Sequence, residues 1–161
     1  MSQIYPCPVP ATTVTNAGGN ADLWTFLPAD DKPIRLRGFR LGQTSELGDA
    51  AEEAVEIQII RMTATVTDGN GTAGTIETLS TSDAAAGFTF EYNGATVATT
   101  TGATDILESL AWNLRNSPYE VWYPDERFSA TVKQGEVLLI RLISTVTDDI
   151  TFVGTAWIEE L

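Results

Sequence analysis

Along most of this chain, apolar side chains return at every second residue in short runs, each closed by Gly, Pro, Asn or Asp. A period of two belongs to a β-strand, because successive side chains on a pleated backbone point to opposite faces. Asp22 to Leu27 is one such run, closed by Pro28-Ala29-Asp30-Asp31-Lys32-Pro33. In Ile34 to Gln43, Ile34 and Leu36 alternate with arginines before the apolar phase slips by one residue at Phe39 and Leu41. Gly38 sits at the slip, where a β-bulge would be expected to need it. Val55, Ile57 and Ile59 share a face within Glu53 to Val66, and beyond Ile59 both phases are apolar or Thr, as in a strand entering a buried sheet.

The remaining runs continue the pattern. Phe88, Phe90 and Tyr92 alternate with polar residues, and Asn93-Gly94 leads into Ala95 to Thr100, which predicts a hairpin. Glu120 to Tyr123 is a further strand, and Ser129 to Lys133 with Val137 to Ser144 predicts a second hairpin around Gln134-Gly135. Ile150 to Glu159 is the last strand. Asp105 to Arg115 is ambiguous. Ile106, Leu107, Leu110, Ala111 and Leu114 fit a helical face, while Ile106, Leu110, Trp112 and Leu114 also share a strand face. The β surroundings favour a strand.

About eight or nine strands without α/β alternation predict an all-β fold: a single antiparallel β-sandwich, jelly-roll-like. It would span residues 21–161. Residues 1–20 carry Pro6, Pro8 and Pro10 and a Thr-rich stretch, which predicts an extended N-terminal arm or an edge element, since alternate prolines remove ladder donors. At 161 residues the chain has the length of one domain with its own core. Its start has neither a basic nor an apolar leader segment, so synthesis in the cytosol without a signal peptide is expected.

Composition removes several chemistries. There is no histidine, so Ser-His-Asp and Cys-His nucleophile pairs are excluded, and with one cysteine, Cys7, so are an internal disulfide and a Cys/His zinc cage. A formal net charge of −13 repels polyphosphates and anionic lipid, so neither nucleic acid nor membrane is an expected partner. Lys32, Arg35, Arg37 and Arg40 form the one cationic cluster, and they read as outward positions of a strand diluted by Asp30, Asp31 and Glu46.

The carboxylate pairs Glu52-Glu53, Asp125-Glu126, Asp148-Asp149 and Glu159-Glu160 are formal acid/base candidates, but neighbours on a strand diverge, so they read as solvated charge. Asp68-Gly69-Asn70-Gly71 begins like a calcium loop and lacks its later ligands, so it reads as a turn. Gly69, Gly71 and Gly74 make no phosphate loop, Thr96 to Thr104 reads as an exposed β surface, and Trp24, Trp112, Trp122 and Trp157 read as core. No catalytic residue, metal site, cofactor or small-molecule substrate is expected.

Pro28 to Leu36 leading to Leu41 through Glu53, the ending Gly154 to Leu161, Asp83 to Phe88, and Trp112-Asn113-Leu114-Arg115 together resemble small proteins encoded among tailed-phage and prophage structural genes. That resemblance implies a virion role. Jelly-roll accessory proteins of phage heads sit as trimers on the outside of the capsid lattice. The implied function is a non-enzymatic capsid decoration, or cement, protein on the outer surface of the head, bound to the major capsid protein and to itself as a homotrimer. A tail or receptor-binding accessory role and a carbohydrate-binding sandwich module stand as alternatives. Partner contacts are expected on the arm, at Tyr5, Pro6, Pro8 and Pro10, and on the loop Gln43 to Asp49, at Gln43, Ser45, Glu46 and Asp49. Alternate prolines lower the entropy lost when an extended segment docks.

Overall fold

A computed structural model describes residues 2–45, 53–116, 118–143 and 145–161. The chain folds as an antiparallel β-sandwich. Its longer strands are β1 (Gln3–Val14), β2 (Ala21–Leu27), β3 (Ile34–Gln43), β4 (Ala54–Met62), β7 (Thr89–Gly94), β9 (Thr104–Asn113), β10 (Tyr119–Trp122), β12 (Val137–Leu142) and β13 (Ile150–Glu160). Two-residue strands β5 (Val66–Thr67), β6 (Thr72–Ala73), β8 (Thr99–Thr100) and β11 (Thr131–Val132) complete the order, with one 3-10 turn at Glu126–Phe128. One sheet runs β1-β13-β3-β10, with β11 also on β3, and the other runs β6-β7-β2-β12-β4-β9. The ambiguous segment 105–115 is largely strand β9, as its surroundings suggested.

The core forms where the two sheets face each other. Tyr5, Cys7 and Val9 of β1, Leu36, Phe39 and Leu41 of β3, and Phe152, Ala156 and Ile158 of β13 meet Trp24, Phe26, Ile57, Ile59, Leu138 and Ile140 of the opposite sheet. The apolar residues on both phases of β4 and β12 have a second destination. Ile60, Met62, Val137 and Leu139 point the other way, into a smaller cluster with Ala98, Leu27 and Val66. Between these clusters the carboxylate of Asp22, 1% exposed, is clamped by Arg141 and accepts the Ala98 N–H at 2.7 Å, while Arg141 Nη2 donates to the Ala98 carbonyl at 2.9 Å. This network pins the segment leading into β8 against β2 and β12.

The bulge expected at Gly38 is present. Trp157 of β13 pairs with Gly38 while Ile158 pairs with Leu36, so Arg37 is the extra residue. Ile34, Leu36, Phe39 and Leu41 therefore all reach the core despite the phase slip.

Three expectations are corrected. The N-terminal segment is not a free arm but the edge element that its prolines also allowed: β1 pairs with β13 from Gln3↔Glu160 to Val14↔Ile150 and buries Tyr5, Cys7, Val9 and Val14, so it is an edge strand of the sandwich. β13 is consequently interior to its sheet, between β1 and β3. Asn93 does adopt a left-handed φ of 56°, yet β7 pairs with β2 and β6, and the chain beyond it pairs β8 with β5, so the turn makes no hairpin. The turn at Gln134-Gly135 likewise carries the chain from β11 in one sheet to β12 in the other. A turn signal sets the local reversal; the pairing partner is set by burial and by contacts distant in sequence.

Candidate functional site: an aromatic groove over Gly38

The contact residues anticipated from sequence do not converge. Tyr5 is 1% exposed, and its hydroxyl donates to Gln3 Oε1 and to the Ala84 carbonyl, both at 3.0 Å, so the ring belongs to the core. Pro8 and Pro10 are exposed and Pro6 is half-buried. Gln43 is buried and donates Nε2 to the Leu114 carbonyl at 3.2 Å, and the exposed Ser45 accepts the Thr151 N–H through its hydroxyl. Glu46 and Asp49 lie outside the described residues. Tyr5 and Gln43 pair with Ile158 and Phe152 of β13, roughly 20 Å apart at strand rise, so they form no common surface.

The outer face of the β1-β13-β3-β10 sheet holds the site instead. Gly38 lies between two cross-strand partners, Trp157 on β13 and Trp122 on β10. With no side chain on the middle strand, the two indoles lean together above Gly38, their ring centroids 4.6 Å apart and their planes 35° apart. A Cβ on Gly38 would stand 2.5 Å from the Val121 carbonyl oxygen and 2.7 Å from Trp122 Cε3. The bulge glycine thus does two things: it absorbs the phase slip and it makes room for the aromatic pair.

Around the pair, Ile4, Arg37, Leu79, Tyr123 and Pro124 complete an open groove of about 410 Å³. Trp122 is 50% exposed, Leu79 66% and Ile4 37%, an apolar concentration unusual on the surface of a monomer. Arg37 and Tyr123 of the groove already have partners. Arg37 Nη1 lies 3.5 Å from Glu159, Tyr123 N–H donates to the Arg37 carbonyl at 2.9 Å, and the Tyr123 hydroxyl donates to Glu108 of β9 across the sandwich. Burial and that hydrogen bond to Glu108 push the Tyr123 phenol well above its ordinary pKa. Tyr123 therefore stays neutral and serves as a brace between the sheets.

Charge on this face cancels. Arg40 pairs with Glu120 at 2.6 Å, Arg35 with Glu126 at 3.0 Å and Glu159 at 3.3 Å, and Lys32 with Glu160 at 2.7 Å. Arg35, Arg37 and Arg40 do occupy outward positions of β3, whereas Lys32 precedes the strand, and glutamates of β10, β13 and the 3-10 turn neutralise all four. Arg35, Arg37 and Arg40 balance Glu120, Glu126 and Glu159 on this face, and Lys32 balances Glu160, which turns to the other side of β13, so the remainder of the chain carries the whole net charge of −13. Two sequence readings change accordingly. Trp24 and Trp112 are core, whereas Trp122 and Trp157 are not; Glu159 and Glu160 are buried ion-pair partners, not solvated charge. The signal for Trp157 was present in the sequence, because its parity opposes that of the core residues Ala156 and Ile158.

Comparisons with protein-family models, with curated proteins and with solved structures find no match for this chain.

Proposed function

We propose that this chain is a non-enzymatic structural protein of a tailed-phage virion, a jelly-roll-like decoration protein that attaches to the major capsid protein on the outside of the head, and that it docks through the groove around Trp122 and Trp157. The observation that carries the docking face is the stacked indole pair, Trp122 exposed and Trp157 half-buried, on the neutral side of an otherwise acidic molecule. Aromatic anchors in a desolvatable patch are the usual energetic centre of a protein interface. A neutral face can approach an acidic surface without the repulsion that the rest of the chain would meet. The virion assignment itself comes from the resemblance of residues 28–53, 83–88, 112–115 and 154–161. Placement on the tail or in receptor binding is the alternative within the same class.

A carbohydrate-binding reading has one observation in its favour, the half-exposed ring of Trp122. Against it stand the apolar lining of the groove and the prior engagement of Arg37 and Tyr123, which leave few groups to meet sugar hydroxyls. The test uses particles purified from the phage or lysogen that encodes the chain. The chain is expected in washed particles by mass spectrometry and on the head exterior by imaging, with Trp122→Ala reducing its occupancy. Its absence from particles would overturn the virion assignment. Undiminished occupancy with Trp122→Ala would overturn the groove, and Trp122-dependent binding to an oligosaccharide panel would establish the carbohydrate reading.

A further inference from the structure

The two sheets treat their open edges differently. On β1, Pro6 turns its carbonyl away from β13, where the oxygen accepts the Glu77 N–H at 3.3 Å, so its nitrogen also faces outward. By strand alternation Pro8 faces the same way, and Pro10 falls in the irregular stretch between Val9 and Thr12. This edge presents few N–H donors and is closed to strand addition, a common protection of exposed sheet edges. β10, at four residues, and β6, at two, are too short to template much pairing.

β9 has no such protection over most of its length. Its ten residues pair with β4 on one side, and among the described residues no strand pairs with the other. It contains no proline, lysine or arginine, and its one irregularity is a bulge at Leu107, between Ile106↔Ile60 and Glu108↔Ile59. Beyond the bulge the direction of the free groups is fixed. The Glu56 carbonyl accepts the Ile143 N–H on its β12 side, so Ala111, paired with Glu56, turns its own N–H and C=O away from β4. Leu114 N–H donates to the Glu53 carbonyl, which gives the same phase and places Ser109 and Asn113 outward with Ala111. Ile106 and Leu107, 56% and 41% exposed, lie at the same edge.

We propose that this edge joins a second copy of the chain, β9 to β9, antiparallel about a two-fold axis through Ala111. The register is self-compatible. Leu110 faces Trp112 of the second copy, Ser109 faces Asn113, and Glu108 faces Leu114, so no carboxylate opposes another, and the small Ala111 residues meet at the axis. The Asn113 carbonyl already accepts the Asn116 N–H at 2.9 Å, so about four main-chain hydrogen bonds close, two between the Ala111 residues and two from Asn113 N–H to the Ser109 carbonyl, and the two six-stranded sheets become continuous. The Leu114-Arg115 turn of one copy comes beside Leu107 of the other. β1 pairs with β13 of its own chain and is not free to reach a neighbour, and the open edge of β9 supplies a contact between copies. The proposal stands independently of the virion assignment.

The test is the solution mass of the full chain by sedimentation equilibrium from low to high micromolar concentration. Wild type is expected to reach twice the protomer mass of 17.3 kDa, more readily at higher salt because each copy carries −13. Ala111→Pro removes an N–H that β4 does not use, so the protein keeps its strand circular dichroism and melting transition but remains a protomer. Ser109→Lys, which adds an edge lysine and touches no backbone group, is expected to do the same and decides the matter if Ala111→Pro fails to fold. A wild type that stays at the protomer mass, or an oligomer unchanged in a folded variant, overturns the proposal.

Discussion

Substituting Gly38 by alanine tests whether the bulge glycine makes the aromatic groove. The new Cβ would stand 2.5 Å from the Val121 carbonyl oxygen and 2.7 Å from Trp122 Cε3, so one of them must retreat by roughly 0.9 Å to reach an ordinary contact. The Val121 carbonyl is backbone of β10, a four-residue edge strand, whereas β3 is held on its other side by the full length of β13. β10 is therefore what gives. Overpacking of this kind costs about 1–3 kcal/mol, which for a chain of this size lowers the melting temperature by roughly 2–12 °C. Displacing β10 also carries Trp122 away from Trp157 and weakens the exciton-coupled circular dichroism expected of indoles 4.6 Å apart. Gly42→Ala on the same strand is the control. Its Cβ would meet nothing nearer than Val153 Cγ1 at 3.8 Å, and it should be neutral or stabilising by about 0.4–1 kcal/mol. If Gly38→Ala melts with wild type and keeps the coupled indole signal, Gly38 is not what seats the pair.

Acrylamide should quench Trp122 strongly and Trp157 in part while leaving Trp24 and Trp112 shielded, so single Trp→Phe variants at 122 and 157 remove most of the quenchable emission; quenching that survives both would contradict the outward placement. Asp22→Ala leaves Arg141 charged and buried and the Ala98 N–H without its acceptor, at a cost of about 3–5 kcal/mol read from the urea midpoint, and a loss below 1 kcal/mol would refute that account. Burial raises the carboxyl pKa of both Asp68 and Glu91. Because a raised folded-state pKa stabilises below the unfolded value and loses that contribution as pH rises, Asp68→Asn with Glu91→Gln should match wild type in acid below the ordinary carboxylate range and exceed it at neutral pH.

What the sequence makes legible here is the strand inventory, because most core strands carry their burial in their own alternation. The slip at Gly38 could be read as a bulge, since Ile34 and Leu36 on one phase and Phe39 and Leu41 on the other can share a core only if one residue is skipped. Partner choice was not legible. Asn93-Gly94 has the chemistry of a tight turn, but Trp24, Phe26 and Phe90 seat β7 on β2, and the Asp22 and Arg141 side chains hold Ala98 some distance away. The arm reading gave the prolines more weight than the residues between them. Tyr5, Cys7 and Val9 alternate with Pro6, Pro8 and Pro10, which is the pattern of an edge strand with one apolar face. The groove was hidden for a different reason: Trp122 and Trp157 lie far apart in sequence and meet only because both pair with Gly38.

The two proposed surfaces occupy different sheets, and this decides what a joined pair of chains can do. The groove lies on the outer face of β13, β3 and β10, whereas the open edge belongs to β9 of the six-stranded sheet. A β9-to-β9 pair therefore extends one sheet sideways and covers neither groove. Each dimer would present two aromatic anchors related by the two-fold axis, so engagement of the first raises the effective concentration of the second wherever the underlying surface repeats at a matching spacing. A single groove of this size gives modest affinity, while two on a repeating shell give avidity without any new contact. On that argument, Ala111→Pro should weaken attachment to an assembled shell far more than binding to an isolated capsid subunit, whereas Trp122→Ala should weaken both; equal losses from Ala111→Pro on shell and subunit would separate the dimer from the attachment.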